Sequence, residues 1–211
     1  MKLRLIIVAL AAILTVFVAP AAADIVLYTN GPINGTIGAY SITGAYGWEV
    51  ANSFTLAGSS TVTGFDIGAW VLPGDQPFGV TWEILTGGPD WLGGTVVASG
   101  NANFANTYWG SGFDYYDIYT SKVGGLNVNL GAGNYWLELL NGTTLTSGNP
   151  IYWDENDGQS TAYQINTGQV GSEAFNIYGT TASGTVPEPS SILLFGSGLL
   201  ALAGILRRKL F

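Results

Sequence analysis

The sequence of 211 residues contains neither cysteine nor histidine. Without cysteine the fold cannot be held by disulfides, so its stability has to come from a buried core. Without histidine the chain cannot form a Ser-His-Asp or Cys-His catalytic group, or a histidine-ligated zinc site, and it lacks the commonest general base. These absences favour a protein that is not an enzyme and needs no cofactor.

Basic residues are also scarce, and five of the six lie at the chain ends: Lys2, Arg4, Arg207, Arg208 and Lys209. Residues 24–186 therefore hold 13 acidic residues against one base, Lys122, which gives a formal net charge of −12. This charge excludes nucleic acid as a partner, because phosphate contacts need Lys and Arg. It also excludes docking on an anionic membrane surface. An acidic domain is soluble by its charge alone, and it suits neutral glycans or divalent cations.

The N-terminus has the order of a secretory signal peptide. Two basic residues precede an uncharged apolar stretch of 14 residues at positions 5–18, and Ala21 and Ala23 supply the small residues before the cut. This order predicts a signal peptide at residues 1–23, which signal peptidase removes between Ala23 and Asp24. The alternative is a retained N-terminal anchor, but the apolar stretch is shorter than the roughly 20 residues that span a bilayer.

The C-terminus has three parts in a fixed order. Pro187-Glu188-Pro189 comes first, an uncharged and mostly apolar run of 17 residues follows at positions 190–206, and three cations close it: Arg207, Arg208 and Lys209. The prolines disfavour a helix that continues upstream. The run is at the short end of the spanning range, and the cations would hold its far end at the cytoplasmic face. We therefore predict a transmembrane helix at 190–206 with a basic tail at 207–209; the alternative is a buried hydrophobic helix.

This three-part order resembles the PEP-CTERM sorting signal of Gram-negative bacteria, whose substrates are processed by the membrane peptidase exosortase. The resemblance covers residues 187–211, with Pro187, Glu188 and Pro189 as the recognition motif and the three cations as the cytoplasmic stop. It implies export through the Sec translocon, an inner-membrane intermediate held by the C-terminal helix, and exosortase as a partner. The chain would then reach the cell surface or the exopolysaccharide matrix of a biofilm.

Between the two signals the chain has the pattern of an all-β protein. Short runs rich in Val, Ile, Thr and aromatic residues alternate with Gly-rich turns, as where Val80, Trp82 and Ile84 share one face of a strand. About eight to eleven such strands predict a single β-sandwich or jelly-roll-like ectodomain, with a closed barrel as the alternative. We place this domain at residues 24–178, followed by a flexible Gly/Ser/Thr-rich linker at 179–186.

Two of the seven tryptophans are candidates for glycan stacking. Trp91 and Trp109 lie in Gly- and Asn-rich segments that we interpret as loops. An exposed indole there can stack on the apolar face of a sugar ring. The alternative is that both residues pack against the domain, as we expect for Trp82 and Trp136 within strands.

Acidic residues supply two weaker candidates. Asp154, Glu155, Asn156 and Asp157 form a weak calcium-binding candidate, with an acidic hairpin turn as the alternative. The glutamates of three predicted strands could supply the carboxylate pair of a glycoside hydrolase, although nothing in the sequence pairs them: Glu49, Glu83 and Glu138.

The sequence thus predicts an exported surface or matrix protein with a structural or interaction role and no catalysis. A carbohydrate-binding module of the exopolysaccharide matrix is the first alternative, and a glycoside hydrolase is the second.

Overall fold

The computed structural model describes residues 24–146 and 148–181, which form strands and short 3₁₀ turns with no α-helix among them. In chain order the strands are β1 (Ile25–Thr29), β2 (Ala39–Ser41), β3 (Val50–Leu56), β4 (Ser60–Val71), β5 (Pro77–Thr86), β6 (Thr95–Asn103), β7 (Ala105–Ser111), β8 (Asp117–Leu130), β9 (Gly133–Thr144), β10 (Ile151–Asn156), β11 (Ala162–Gln164), β12 (Gly168–Val170), β13 (Ser172–Glu173) and β14 (Phe175–Thr181). The 3₁₀ turns are Gly44–Tyr46, Asp90–Leu92 and Phe113–Tyr115.

The predicted signal peptide and the whole predicted sorting segment lie outside the described residues, and Asp24 is the first residue described. Within the part of the chain that is described, no helix has both the length and the apolar character needed to cross a membrane.

The first sheet is organised around β4. One edge of β4 pairs antiparallel with β8 from Ser60 to Val71. The other edge is shared, because β14 pairs with residues 60–67 and β10 pairs with residues 69–71. β1 and β7 extend the sheet beyond β14 and β8, while β2 and β13 both pair with β10. This shared edge sets β2 and β10 beside the C-terminal end of β4.

The second sheet has the strand order β12-β11-β3-β9-β5-β6. β9 lies between β3 and β5, and its Glu138 is directly opposite Ala51 on one side and Glu83 on the other. Because side chains alternate along a strand, Glu138 and Glu83 share the face that points away from the core residues Leu137 and Ile84.

The core lies between the two sheets, as their period-two patterns require. The second sheet contributes apolar residues such as Phe54 and Leu137, and the first contributes Phe65, Trp153 and Phe175; all of them are buried. The Trp153 and Phe175 rings meet edge to face, with centroids 5.6 Å apart. The described residues are therefore all-β, in two layers consistent with the predicted β-sandwich.

Two expectations, about the acidic stretch and about the start of the linker, were wrong. The acidic stretch from Asp154 to Asn156 is not a hairpin turn: it lies in β10, where Tyr152 and Trp153 pair with Trp70 and Ala69 of β4. The flexible linker cannot start at residue 179, because β14 continues to Thr181 by pairing with β4 as far as Ser60.

Asn141-Gly142 continues β9 with a local irregularity: Asn141 has a φ of 52°, and the β5–β9 register shifts at this point. Gly142 also approaches the backbone of Ile42 closely, and its N–H donates to the Ile42 carbonyl at 2.7 Å.

Candidate functional sites

One open concave surface of the described domain is lined by aromatic side chains. A cavity of about 500 Å³ between β2, β10 and the Gly44–Tyr46 turn shares Ala39 and Tyr152 with a neighbouring cavity of about 200 Å³. We call the two together the aromatic groove and define it by six rings: Tyr40, Tyr46, Trp48, Phe113, Tyr116 and Tyr152.

The shared edge of β4 assembles this groove. β10 pairs Tyr152 with Trp70 of β4 on one side and with Ser41 of β2 on the other. Tyr46 ends a 3₁₀ turn whose chain reverses at Gly47, where a φ of 65° favours glycine. Segments far apart in the sequence thereby place their rings on one surface.

The groove combines rigid and exposed rings. Tyr116 meets Tyr152 edge to face at 5.6 Å and packs against Trp70 at 5.9 Å, so the floor is fixed by ring-ring contacts. Tyr46 and Phe113 are 64% and 61% exposed, which leaves their faces free for a ligand. Burial and the neighbouring Tyr116 hydroxyl raise the pKa of Tyr152 to about 12, so its phenol stays neutral at physiological pH.

A buried carboxylate supports the groove from behind. Asp154 is fully buried and accepts hydrogen bonds from the Asn34 N–H at 2.7 Å, the Gly35 N–H at 2.9 Å and the Trp70 indole N–H at 2.6 Å. Burial raises the pKa of Asp154, and these three donors act in the opposite direction. The carboxylate thus ties Trp70 to residues 34 and 35.

The two tryptophans predicted as stacking platforms are not part of the aromatic groove. Trp109 lies in β7, is 48% exposed, and packs over Gly35 at the wall of a separate cavity of about 210 Å³. Trp91 is half-buried in the Asp90–Leu92 turn, next to the second sheet. The structure does not bring the two indoles into one site, and their role in glycan binding stays a prediction.

The weak calcium candidate is spread over two faces of β10. The oxygens of Asp154 already accept three N–H donors, and the Asn156 side chain bonds to the carbonyls of Asn30 and Pro32. Glu155 alternates with these two residues along the strand, and Asp157 is exposed beyond its end. These four residues do not converge on one point in the structure.

Two of the three glutamates predicted to lie in strands, Glu49 and Glu138, come together with one further acid, Asp90. Single carboxylate oxygens of Glu49, Asp90 and Glu138 lie within 4.8 Å of one another, and we call these three residues the carboxylate cluster. Glu83 lies opposite Glu138 on β5, and its charge acts on both Glu49 and Glu138. Sequence reasoning missed Asp90, which is brought over the sheet by the β5–β6 connection.

Glu138 is the deepest member of the carboxylate cluster. It has no exposed surface; its Oε2 accepts the Asp90 backbone N–H at 3.1 Å, and its Oε1 has no hydrogen-bond partner. Burial raises the pKa of Glu138 to about 8, with the nearby charges of Asp90, Glu49 and Glu83 adding to the effect of burial. Burial also raises the pKa of Glu49 and Glu83.

The comparisons with known proteins identify the C-terminal segment. Residues 185–209 match the model of the PEP-CTERM protein-sorting motif. The chain therefore carries this motif, which implies processing by exosortase and sorting, through a membrane-associated step, to the cell surface or the extracellular space. Comparison of the chain with curated proteins gives no match.

Proposed function

We propose that this chain is an exported matrix protein whose β-domain binds neutral extracellular polysaccharide through the aromatic groove, without catalysis. The signal peptide at 1–23 and the membrane helix at 190–206 would serve only its delivery. The observation that carries the proposal is the aromatic lining of two adjoining open cavities on a domain that a sorting motif directs outside the cell.

Aromatic rings that face solvent are costly unless a partner covers them, and carbohydrate faces are suitable partners because their C–H groups stack on aromatic rings. Tyr46 and Phe113 offer such faces at opposite parts of the groove. The phenols of Tyr40 and Tyr152 supply hydroxyl groups that can bond to sugar hydroxyls. This mixture of apolar walls and a few polar groups is typical of ligand sites.

The charge of the domain selects the kind of glycan. Thirteen acidic residues against Lys122 would repel an anionic polysaccharide, whereas a neutral one is not affected by this field. We therefore propose that the aromatic groove binds polysaccharides built of uncharged hexoses.

The geometry favours binding over hydrolysis. Burial raises the pKa of Glu138, as a general acid would need, but its side chain has no exposed surface to present to a glycosidic bond. Among the side chains that the structure describes, those lining the aromatic groove include no carboxylate.

Affinity electrophoresis through neutral glucan, galactan and mannan gels, with an alginate gel as the anionic control, tests the proposal. We expect retardation of the exported protein in at least one neutral gel and none in alginate. Tyr46→Ala should weaken binding about tenfold, the equivalent of about 1.4 kcal/mol of stacking. Tyr108→Ala is the matched control, since Tyr108 is also exposed but lies on β7 outside the groove.

Equal mobility of the wild type and Tyr46→Ala in every gel would contradict glycan binding in the aromatic groove and favour a structural role. Glycan binding that depends on Trp91 or Trp109 instead would place the binding site at the tryptophans predicted from the sequence.

Delivery is tested separately by the intact mass of the protein from its host. We expect loss of the first 23 residues and of the C-terminal helix, with the second loss abolished in a Pro187→Ala, Glu188→Ala variant. A helix retained in both forms would indicate a simple tail-anchored protein and contradict processing by exosortase.

A further inference from the structure

We propose that the carboxylate cluster of Glu49, Asp90 and Glu138 is a Ca²⁺ site that fastens the β5–β6 connection to the outer face of the second sheet. The inference is independent of glycan binding, because the aromatic groove is lined by other residues.

The three residues come from separate elements that meet at one point. Glu138 lies in the middle of β9, Glu49 immediately precedes β3, and Asp90 begins the 3₁₀ turn of the β5–β6 connection. Their oxygens lie within 4.8 Å of one another. Two oxygens bound to one Ca²⁺ at 2.3–2.6 Å can be at most about 5 Å apart, so all three carboxylates can reach the same ion without moving their backbones.

The buried Glu138 oxygen is the observation that points to a ligand. An acidic cluster on a surface is ordinary, but Glu138 is fully buried and its Oε1 has no hydrogen-bond partner. A carboxylate oxygen without a partner in the protein interior is costly, and native structures rarely retain one without a reason. A cation bound among the three carboxylates would satisfy this oxygen.

The described part of the chain supplies no positive charge to this place. Lys122 is the one base among residues 24–181, and its ammonium group lies 4.3 Å from the centre of the Tyr178 ring, between strands of the first sheet. Among the described residues, no basic side chain therefore lies beside the three carboxyl groups or Glu83. A bound divalent cation would supply positive charge there.

The ligand set selects calcium. All three side chains offer oxygen alone, which suits hard cations and not zinc or copper. Mg²⁺ needs near-ideal octahedral geometry at 2.0–2.1 Å, whereas Ca²⁺ accepts six to eight oxygens in flexible arrangements that carboxylates and water can complete. Extracellular calcium modules bind with dissociation constants of about 10⁻⁴–10⁻³ M, and we expect this range.

Terbium luminescence and calorimetry test the site on the exported protein. Tb³⁺ substitutes for Ca²⁺, and excitation of Trp91, the neighbour of Asp90, should sensitise its emission; added Ca²⁺ should displace it. In calorimetry with CaCl₂ we expect one site. Glu138→Gln and Asp90→Asn should each weaken binding at least tenfold, and Ca²⁺ should raise the melting temperature of the wild type and not of these variants.

The two variants separate loss of calcium binding from loss of the fold. Asp90 is exposed, so Asp90→Asn leaves the fold intact even if Glu138→Gln changes stability. The matched control is Asp157→Asn, which removes a carboxylate from the end of β10. Calcium binding that survives Asp90→Asn, that is lost in Asp157→Asn, or that is absent from the wild type at 10 mM CaCl₂ would overturn the proposal.

Discussion

Removing the Asp154 carboxylate should destabilise the domain more than any single surface change. Asp154 is fully buried and accepts three N–H donors, from Asn34, Gly35 and Trp70. Asp154→Ala leaves all three donors without a partner and opens a small cavity. Each buried donor left without a partner costs about 1–3 kcal/mol, so we expect a loss of about 3–5 kcal/mol, a large part of the 5–15 kcal/mol that stabilises a typical domain.

A graded variant separates the hydrogen bonds from the volume of the side chain. In Asp154→Asn the retained Oδ1 still accepts from Gly35 and Trp70, and only the bond from Asn34 to Oδ2 is lost. We expect a loss of about 1–3 kcal/mol for this single bond to a buried group. The change also removes a buried charge whose pKa burial raises, which keeps the loss at the lower end of that range.

Urea unfolding of the exported protein, followed by tryptophan fluorescence, measures these differences. Asp157→Ala is the control, because this exposed acid lies three residues further on and its loss should change stability by no more than about 0.5 kcal/mol. The reasoning fails if Asp154→Ala stays within about 1 kcal/mol of the wild type, or if Asp154→Asn costs more than Asp154→Ala.

Two further predictions concern the backbone and the pH dependence of stability. Gly64→Ala should lower the free energy of unfolding in urea by about 1–3 kcal/mol, because the added Cβ would collide with the Val123 carbonyl. Its cross-strand neighbour Gly124 faces open space, so Gly124→Ala should be nearly neutral. Equal losses of stability in the two variants would refute this explanation. Burial raises the pKa of the fully buried Glu173 well above its usual value, so the stability it contributes is complete below about pH 4.3 and is lost as the pH rises through the folded-state pKa. The free energy of unfolding of the wild type should therefore fall relative to Glu173→Gln from pH 5 to pH 9, and a constant difference between the two would contradict a buried neutral acid.

The sequence predicted the fold class because period-two alternation is a local property. Val80, Trp82 and Ile84 share a core-facing side of β5 as the pattern indicated. The hairpin turn predicted around Asp154 was wrong because the Asp154 carboxylate is buried and accepts hydrogen bonds from residues 34, 35 and 70. The spacing of residues in the sequence does not reveal such distant partners.

The sites were less predictable because they depend on which strands become neighbours. The glutamates of β5 and β9 were recognised, but only the pairing of these strands sets Glu83 against Glu138, and only the β5–β6 connection adds Asp90. The aromatic groove likewise requires β2 and β10 to meet beside β4. A local signal exists in residues 39–48, where Tyr40, Tyr46 and Trp48 lie among glycines.

NMR of the tryptophan indole groups is the most direct test of whether neutral polysaccharide binds in the aromatic groove. The chain has seven tryptophans and therefore seven indole N–H signals. On titration of the exported protein with neutral hexasaccharides of glucose, mannose and galactose, we predict that at least one sugar shifts the signals of Trp48 and of Trp70, which packs beneath the groove, and leaves Trp91 and Trp109 in place. Shifts confined to Trp91 or Trp109, or no shift with any of the three sugars, would contradict glycan binding in the aromatic groove.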